Sequence, residues 1–146
     1  MTGEIVCKQI VFDSEIQRET IALRREVLRR PLGLDFNPDE LASEKDQFHF
    51  AACIGKNLVA VLLFRLSETG ILKMRQVAVK PDFQNMQIGR TLVLFSEKWA
   101  KDNGYRRIEL HARETAIDFY KRMQYQITGS VFEEVGIPHR AMFKNI

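Results

Sequence analysis

Apolar residues recur along the chain with two spacings, which together predict a domain that combines strands and helices. Short or alternating apolar runs, typical of strands, occupy residues 5–12, 48–54, 58–66, 71–79, 107–112, 125–133 and 140–143. Apolar residues at helical spacing follow Ser14, fill residues 88–102 and recur over residues 115–123. Residues 31–47 are polar, contain Gly33 and Pro38, and are predicted to form a loop. The predicted order of elements is β α β β β α β α β β.

Turn and capping residues indicate how these elements connect. Ser14 followed by Gln17 is typical of a helix start, and Asn103-Gly104 is typical of the end of the helix over residues 88–102. The link Gly55-Lys56-Asn57 predicts an antiparallel hairpin. The strands that flank the helix over residues 88–102 must be parallel, because a crossover helix joins them. The expected fold class is therefore α/β, with a mixed sheet that is mostly antiparallel and has one parallel pair.

Composition excludes several functional classes. The 146 residues, 45% apolar and 28% charged, are typical of one globular domain spanning residues 1–146. The net charge is +3, but the arginine pairs are scattered among acids, so nucleic-acid binding is not favoured. Cys7 and Cys53 indicate neither a disulfide framework nor a metal site. The longest apolar run, residues 58–64, is far shorter than the roughly 20 residues that cross a bilayer, and no signal peptide is evident, so a cytoplasmic location is expected.

The segment from Val77 to Thr91 carries the most chemical information. It runs from a strand through a turn into a helix start, where unpaired backbone N–H groups and the helix dipole favour an anion such as phosphate. Gly89 would let a ligand approach the backbone, and Arg90 would add a positive charge. From the residues alone, a second interpretation stays open, in which Gly89 only eases the turn between strand and helix.

Two motifs in this half of the chain resemble those of the GNAT N-acetyltransferase superfamily. The run Gln84-Asn85-Met86-Gln87-Ile88-Gly89 resembles the acyl-CoA signature Q/R-x-x-G-x-G/A, and residues 116–125 (AIDFYKRMQY) resemble the segment A-x-x-F-Y-x-K/R-x-G-F/Y. Gln87 and Gln124 stand where each motif has a glycine. The resemblance implies a GNAT fold, with helices on both faces of the sheet, and acetyl-CoA as cosubstrate. The residues that it implies for cofactor binding are Val77, Ala78, Val79, Gln84, Asn85, Met86, Gln87, Ile88, Gly89, Arg90, Thr91 and Phe119.

Four further positions resemble the glyphosate N-acetyltransferase type within that superfamily. Arg29 ends the first helix, Arg75 enters the cofactor strand, Arg113 leaves the next strand, and His139 follows Gly136-Ile137-Pro138. In that type, three arginines hold an anionic substrate and a histidine acts as base. The resemblance therefore implies substrate binding by Arg29, Arg75 and Arg113 and catalysis by His139. The superfamily resemblance also implies that Tyr120 protonates the departing thiolate.

These residue types suit acetyl transfer from a thioester to an amine. A histidine titrates near neutrality and can take the proton of the amine, while backbone N–H groups near residues 77–79 can stabilise the oxyanion. Simpler interpretations stay open, with His139 as a solvent-facing turn residue and Tyr120 as a core residue. His49 is expected to be an ordinary strand residue, and His111 to be structural or at the edge of a pocket.

Arg75 is unusual because it belongs to a central strand that is expected to be buried on both faces. Strict alternation places its side chain on the face of Val77 and Val79, opposite Ala78. A buried arginine needs an anionic partner. That partner is expected to be either Glu109, on a neighbouring strand, or a carboxylate or phosphonate of the substrate.

The sequence thus predicts an N-acetyltransferase that moves acetyl directly from acetyl-CoA to the amine of a small, anionic acceptor, such as an amino acid or amino-phosphonate. No cysteine is placed by a motif to carry the acetyl group. Two alternatives stay open, acetylation of a peptide or protein amine and non-catalytic binding of acyl-CoA. The expected partner is a small-molecule amine, with no nucleic acid, membrane or metal, and the protein is expected to be a monomer or homodimer.

Overall fold

The computed structural model describes residues 3–84 and 87–146, which build one mixed sheet with helices on both faces. The strands are β1 (Ile5–Ile10), β2 (Phe48–Ile54), β3 (Asn57–Glu68), β4 (Ile71–Val79), β5 (Arg107–Arg113), β6 (Gln126–Glu134) and β7 (Ile137–Asn145). The helices are α1 (Glu15–Arg24), α2 (Pro38–Ala42), α3 (Ile88–Asp102) and α4 (Ile117–Lys121). The strand order is β1-β2-β3-β4-β5-β7-β6, and β4–β5 is the parallel pair. The predicted fold class is confirmed.

Local sequence signals place several element ends. Ser14 caps α1, since its hydroxyl oxygen accepts from the backbone N–H of Gln17 at 3.2 Å, and the Gln17 amide oxygen in turn accepts from the N–H of Asp13 at 3.0 Å. After the C-terminal end of α3, Gly104 has a φ of +86°, the left-handed conformation that commonly ends a helix. Both signals were predicted from the sequence and are confirmed.

The prediction of a loop over residues 31–47 was wrong. This segment contains α2 and two 3₁₀ turns, Arg30–Leu32 and Ser43–Asp46. Asn37 caps α2 by accepting from the N–H of Glu40 at 2.7 Å, and Pro38 occupies the first turn, where its missing N–H costs nothing. A five-residue helix is too short for a hydrophobic period to appear in the sequence, although its start signal is present.

The sheet is covered on both faces at its centre. On one face, α3 buries Leu92 and Val93 against Phe50, Leu62 and other residues of the larger core. On the other face, Leu23 of α1 packs in a smaller cluster made with Val61, Leu63 and Ala78. Within the described ranges, no helix is long and apolar enough to cross a membrane, and no three His, Cys, Asp or Glu side chains are grouped to hold a metal ion.

A bulge in β4 changes which face of the sheet its side chains occupy relative to the prediction. Gln76 has a φ of +55°, and the pairing with β3 shifts between Leu63↔Arg75 and Val61↔Ala78. Because one extra residue is inserted, Arg75 and Ala78 lie on the α1 face, whereas Val77 and Val79 pack against the larger core. The expectation that Arg75 shares a face with Val77 and Val79, opposite Ala78, was therefore wrong.

The same bulge marks the point where β4 and β5 separate. Their parallel pairing runs from Ile71↔Arg107 to Met74↔Leu110 and goes no further. Beyond Met74, the edge of β4 that faces β5 has no strand partner among the described residues. The sheet is therefore open in its centre, at the carboxyl ends of its one parallel pair.

The two glutamines that replace motif glycines both adopt the left-handed conformation. Gln87 has a φ of +64° and Gln124 a φ of +77°. For a residue with a Cβ atom, this conformation costs about 1 kcal/mol or more, whereas glycine adopts it without strain. The departures from the motifs thus change the side chain but keep the backbone shape.

We expect Gln124→Gly to stabilise the protein by about 0.5–1 kcal/mol, because relief of strain exceeds the added freedom of the unfolded chain. The melting temperature should rise by about 2–4 °C. The matched control is Gln126→Gly, an exposed glutamine in β6 without a positive φ, which should lower the melting temperature. A fall with both substitutions would contradict the assignment of strain to Gln124.

Candidate active site

Two cavities open at the separation of β4 from β5. The basic cavity, of about 520 Å³, lies among β4, β5, β7 and the π-helical turn Arg25–Arg29 that follows α1. The helix-start cavity, of about 470 Å³, lies between the first turn of α3 and α4. Val77, Ala116 and Tyr120 line both. The two cavities are therefore adjacent.

Most of the residues predicted to bind the cofactor line the helix-start cavity. They are Val77, Ala78, Val79, Gln84, Gln87, Ile88, Gly89, Arg90 and Phe119. Thr91 does not line it, and its hydroxyl donates to the carbonyl oxygen of Gln87 at 2.7 Å. Asn85 and Met86 lie outside the described residues. Their neighbours nevertheless show that the signature segment borders this cavity.

Gly89 keeps the start of α3 close to its neighbours. A Cβ atom at this position would lie 3.3 Å from both Phe119 Cζ and Val79 Cγ2, tighter than ordinary contact. The residue that turns the chain is Gln87, the left-handed N-cap of α3, rather than Gly89, which lies within the first helical turn. The interpretation of Gly89 as a turn residue is therefore wrong. The small size of Gly89 lets the start of α3 lie close to β4 and α4 around the cavity.

The residues predicted to bind the substrate and to catalyse lie together around the basic cavity. Arg29, Arg75, Arg113, His139 and Tyr120 all line it. Sequence analysis missed three charged residues that also line it: Arg65, Lys73 and Glu134. Among its described lining residues the cavity thus has five cations and one carboxylate. The first two could have been found from strand alternation, because β3 residue Arg65 pairs with Lys73, two residues before Arg75.

Arg75 is held by residues from the segment that was predicted to be a loop. Its Nη1 donates to Gln47 Oε1 at 2.8 Å and lies 3.7 Å from Glu44 Oε2. The predicted partner, Glu109, is instead paired with Arg107 at 2.9 Å, so that prediction was wrong. The Arg75 side chain is one-fifth exposed, and burial lowers the pKa of Arg75, but an arginine in a protein stays charged. Arg75 therefore presents a fixed positive charge to the cavity.

Glu44 is the centre of a buried polar network beneath Arg75. Its carboxylate accepts two hydrogen bonds from Arg24, at 2.9 and 2.6 Å, and both side chains are almost fully inaccessible. His49 Nε2 lies 2.9 Å from the backbone oxygen of Glu44. Burial lowers the pKa of His49, which keeps the imidazole neutral, and Nε2–H donates to that oxygen. The expectation that His49 is an ordinary strand residue was wrong, since it is 1% exposed.

Arg29, at the end of the helical turn that follows α1, and Arg113, the last residue of β5, both line the basic cavity. Arg29 Nη2 lies 3.4 Å from Glu40 Oε2, and its guanidinium carbon lies 4.6 Å from the centre of the Phe36 ring. Its Nε is buried and has no hydrogen-bond partner within the described part of the chain. Arg113 Nη2 donates to the backbone oxygen of Leu28 at 3.3 Å. Both arginines thus have donors that the protein leaves available.

Local surroundings determine the tautomer of His139 and the protonation of Tyr120. His139 Nδ1 lies 2.9 Å from the carbonyl oxygen of Ile137, so in the neutral ring the proton is on Nδ1 and the lone pair on Nε2. His139 is 3% exposed, which excludes the interpretation as a solvent-facing turn residue. Burial raises the pKa of the Tyr120 phenol far above its usual value, so it stays protonated at neutral pH. A candidate base, His139, and a candidate acid, Tyr120, therefore line the same cavity.

Comparison with known proteins relates this geometry to one family. Residues 14–125 match the family model described as acetyltransferase (GNAT) family. The chain belongs to the GNAT acetyltransferase family. It is accordingly an acetyl-CoA-dependent N-acetyltransferase, and the two motif resemblances at the helix start and in α4 are explained by this membership.

Relatives of this GNAT protein match it over nearly its whole length. An uncharacterised protein of Bacillus subtilis, YyaT, is 25% identical over 149 residues, which cover 95% of each chain. An aminoglycoside 6′-N-acetyltransferase complexed with coenzyme A superposes with a TM-score of 0.80 at 16% identity, over 96% of both chains. A Bacillus subtilis acetyltransferase in complex with CoA gives 0.77 at 17% identity, over 98% of this chain and 99% of the other. At these identities the two structures show a common fold.

We expect Glu44→Gln to destabilise the GNAT fold by about 3–5 kcal/mol, because Arg24 would remain buried without a counter-charge. Urea unfolding monitored by circular dichroism measures the loss. The control is Glu109→Gln, which breaks the half-exposed pair with Arg107 and should cost less than about 1 kcal/mol. Equal losses for the two variants would show that burial of the Arg24–Glu44 pair has no special importance.

Proposed function

We propose that this enzyme acetylates the amine of a small acceptor that also carries an acidic group, such as an amino acid or amino-phosphonate. The observation that supports this proposal most directly is the excess of positive charge in the basic cavity. Its described lining residues include five cations and one carboxylate. Such an excess is costly in a cavity unless an anion shares it. The proposal extends to the whole chain as one catalytic domain, residues 1–146, that works as a monomer or homodimer.

The partners of Arg75 support an anionic acceptor. Glu44 already forms a two-fold hydrogen-bonded pair with Arg24, so its charge is balanced before Arg75 is counted. Arg75 lies further away, at 3.7 Å, and its close contact is the neutral amide of Gln47. The network therefore carries one surplus positive charge at its cavity end. The planar guanidinium suits a carboxylate or phosphonate, which it binds with paired hydrogen bonds.

The arrangement of four residues supports the resemblance to the glyphosate N-acetyltransferase type. Arg29, Arg75, Arg113 and His139 border one cavity although they come from four distant parts of the chain. A volume of about 520 Å³ suits a small molecule. A peptide or protein amine is the second candidate, and no observation favours it over a small anionic acceptor.

The proposed chemistry follows from the contact between the two cavities. Acetyl-CoA would supply the acetyl group, with its phosphates at the start of α3 and its thioester near Val77. His139 Nε2 would accept a proton from the acceptor nitrogen, which then forms the new bond to the acetyl carbon. Unpaired backbone N–H groups on the open edge of β4 would stabilise the oxyanion. Tyr120 would give its proton to the departing sulfur.

The first test is the release of free thiol from acetyl-CoA with acidic, neutral and cationic amines. L-aspartate and aminomethylphosphonate represent the first class, glycinamide the second and L-lysine methyl ester the third. We expect turnover with the acidic acceptors. Turnover confined to glycinamide or the lysine ester would overturn the anionic acceptor but not the enzyme class. Stabilisation by acetyl-CoA without turnover of any amine would favour a non-catalytic acyl-CoA-binding module.

We expect Arg75→Ala to raise the KM of an acidic acceptor about tenfold or more, because a charge-assisted hydrogen bond to its acidic group is lost. The KM of acetyl-CoA should change less than about twofold. Steady-state kinetics with each substrate varied in turn measure both values. Arg18→Ala, at an exposed arginine of α1 paired with Asp13, is the control for lost positive charge. Equal effects of Arg75→Ala on both substrates would rule out the anion site.

A further inference from the structure

Glu134 is the only acid among the described residues that line the basic cavity. It is the last residue of β6 and pairs with Ile137, the first residue of β7. The two residues between them, Val135 and Gly136, have φ values of +47° and +77°, typical of the tightest hairpin turn. This short connection fixes the carboxylate beside the start of β7, two residues before His139.

The two oxygens of Glu134 have different surroundings. Oε1 lies 2.9 Å from His111 Nδ1, whereas Oε2 lies 3.7 Å from His139 Nε2 and makes no hydrogen bond with the described residues. Partial burial alone would raise the pKa of Glu134. The hydrogen bond to His111 and the charges of His111, His139 and Lys73 outweigh it and hold the pKa below its usual value. Oε2 is therefore a charged acceptor beside His139 Nε2.

The positive charge of the basic cavity disfavours binding of a protonated acceptor amine. At neutral pH an aliphatic amine is mostly an ammonium ion, and the five lining cations repel it. Among the described lining residues, Glu134 is the one that carries a negative charge and so offsets this repulsion. An ammonium nitrogen about 2.8–2.9 Å from an acceptor can donate to two acceptors that are 3.7 Å apart. The space in contact with both Glu134 Oε2 and His139 Nε2 therefore suits the ammonium group.

We infer that Glu134 binds the protonated amine of the acceptor and positions it against His139 Nε2. This inference rests on the proposed function. It assigns a binding residue to the ammonium group of the acceptor, whereas the proposed function assigns the arginines to its acidic group. One ammonium proton passes to His139 Nε2, and the freed lone pair attacks the acetyl carbon. The C–S bond then breaks, Tyr120 protonates the departing sulfur, and the second proton of the nitrogen restores the Tyr120 phenol, while the new imidazolium faces the Glu134 carboxylate. The amide product carries no positive charge, so Glu134 holds it less strongly than the acceptor. Glu134 is a positioning residue that distinguishes amines from their neutral analogues.

The test compares ligands that differ only in the amine. Equilibrium binding to the full-length enzyme is measured for L-aspartate and L-malate, and for aminomethylphosphonate and hydroxymethylphosphonate. We expect Glu134→Gln to weaken each amine about tenfold and each hydroxyl analogue less than about twofold. Arg75→Ala should weaken both members of each pair. Glu133→Gln, at the exposed neighbouring residue that does not line the cavity, is the matched control and should change none of them.

The outcomes separate this inference from the proposed function. Equal weakening of amine and hydroxyl ligands by Glu134→Gln, or no weakening of either, would overturn the role of Glu134 and leave the anionic acceptor intact. Binding of glycinamide but of no acidic ligand by the wild type would overturn the anionic acceptor. Glu134→Gln is then measured with glycinamide, where a tenfold loss supports the inference and no loss overturns it. Unchanged acetyl-CoA affinity and melting temperature show that the variant is folded.

Discussion

The extra residue at Gln76 in β4 is the constraint on which both cavities depend. Without this bulge, alternation would place Arg75 and Ala78 on opposite faces of the sheet, so that only one of them could lie on the α1 face. With the bulge, Arg75 lies on the face where Arg65, Lys73 and Arg113 also meet the basic cavity. Pairing with β5 also ends at Met74, one residue before Arg75. The bulge therefore lies where β4 separates from β5, and the two cavities lie side by side at this separation.

Backbone strain is concentrated near this opening. Of the five non-glycine residues with positive φ in the described chain, Gln76, Gln87 and Val135 line one of the two cavities. Conformations of this kind are costly and persist where the surrounding structure enforces them. Here each of them bends the chain where a ligand-binding surface begins: the end of the parallel pairing, the start of α3 and the turn after Glu134.

Electrostatics divides the basic cavity into two ends. Buried ion pairs often contribute little net stability, so the importance of Arg24–Glu44 lies in the position that it gives to Arg75. At the other end, Glu134 and the lone pair of His139 form a site for a positive charge that can lose a proton. A zwitterionic acceptor matches this pattern of charge, because its acidic group and its ammonium group each find a partner. A purely cationic or purely anionic ligand would leave one end unmatched.

The sequence by itself determined the strands, the longer helices and the one parallel pair, because hydrophobic periods, caps and turns are local, but it did not reveal the short helix α2. It also predicted that the start of α3 binds an anion, since Gly89 and its neighbours form a local motif, and the family resemblance added Arg29, Arg113 and His139. It did not determine the facing of Arg75, because a bulge leaves no mark in an alternating run of residues. The partners of Arg75 were decided by tertiary structure alone, as was the contact of Glu134 with His111. Glu44 and Glu134 acquire these partners from segments far apart in the chain, and such contacts form only when the sheet and its covering helices pack together.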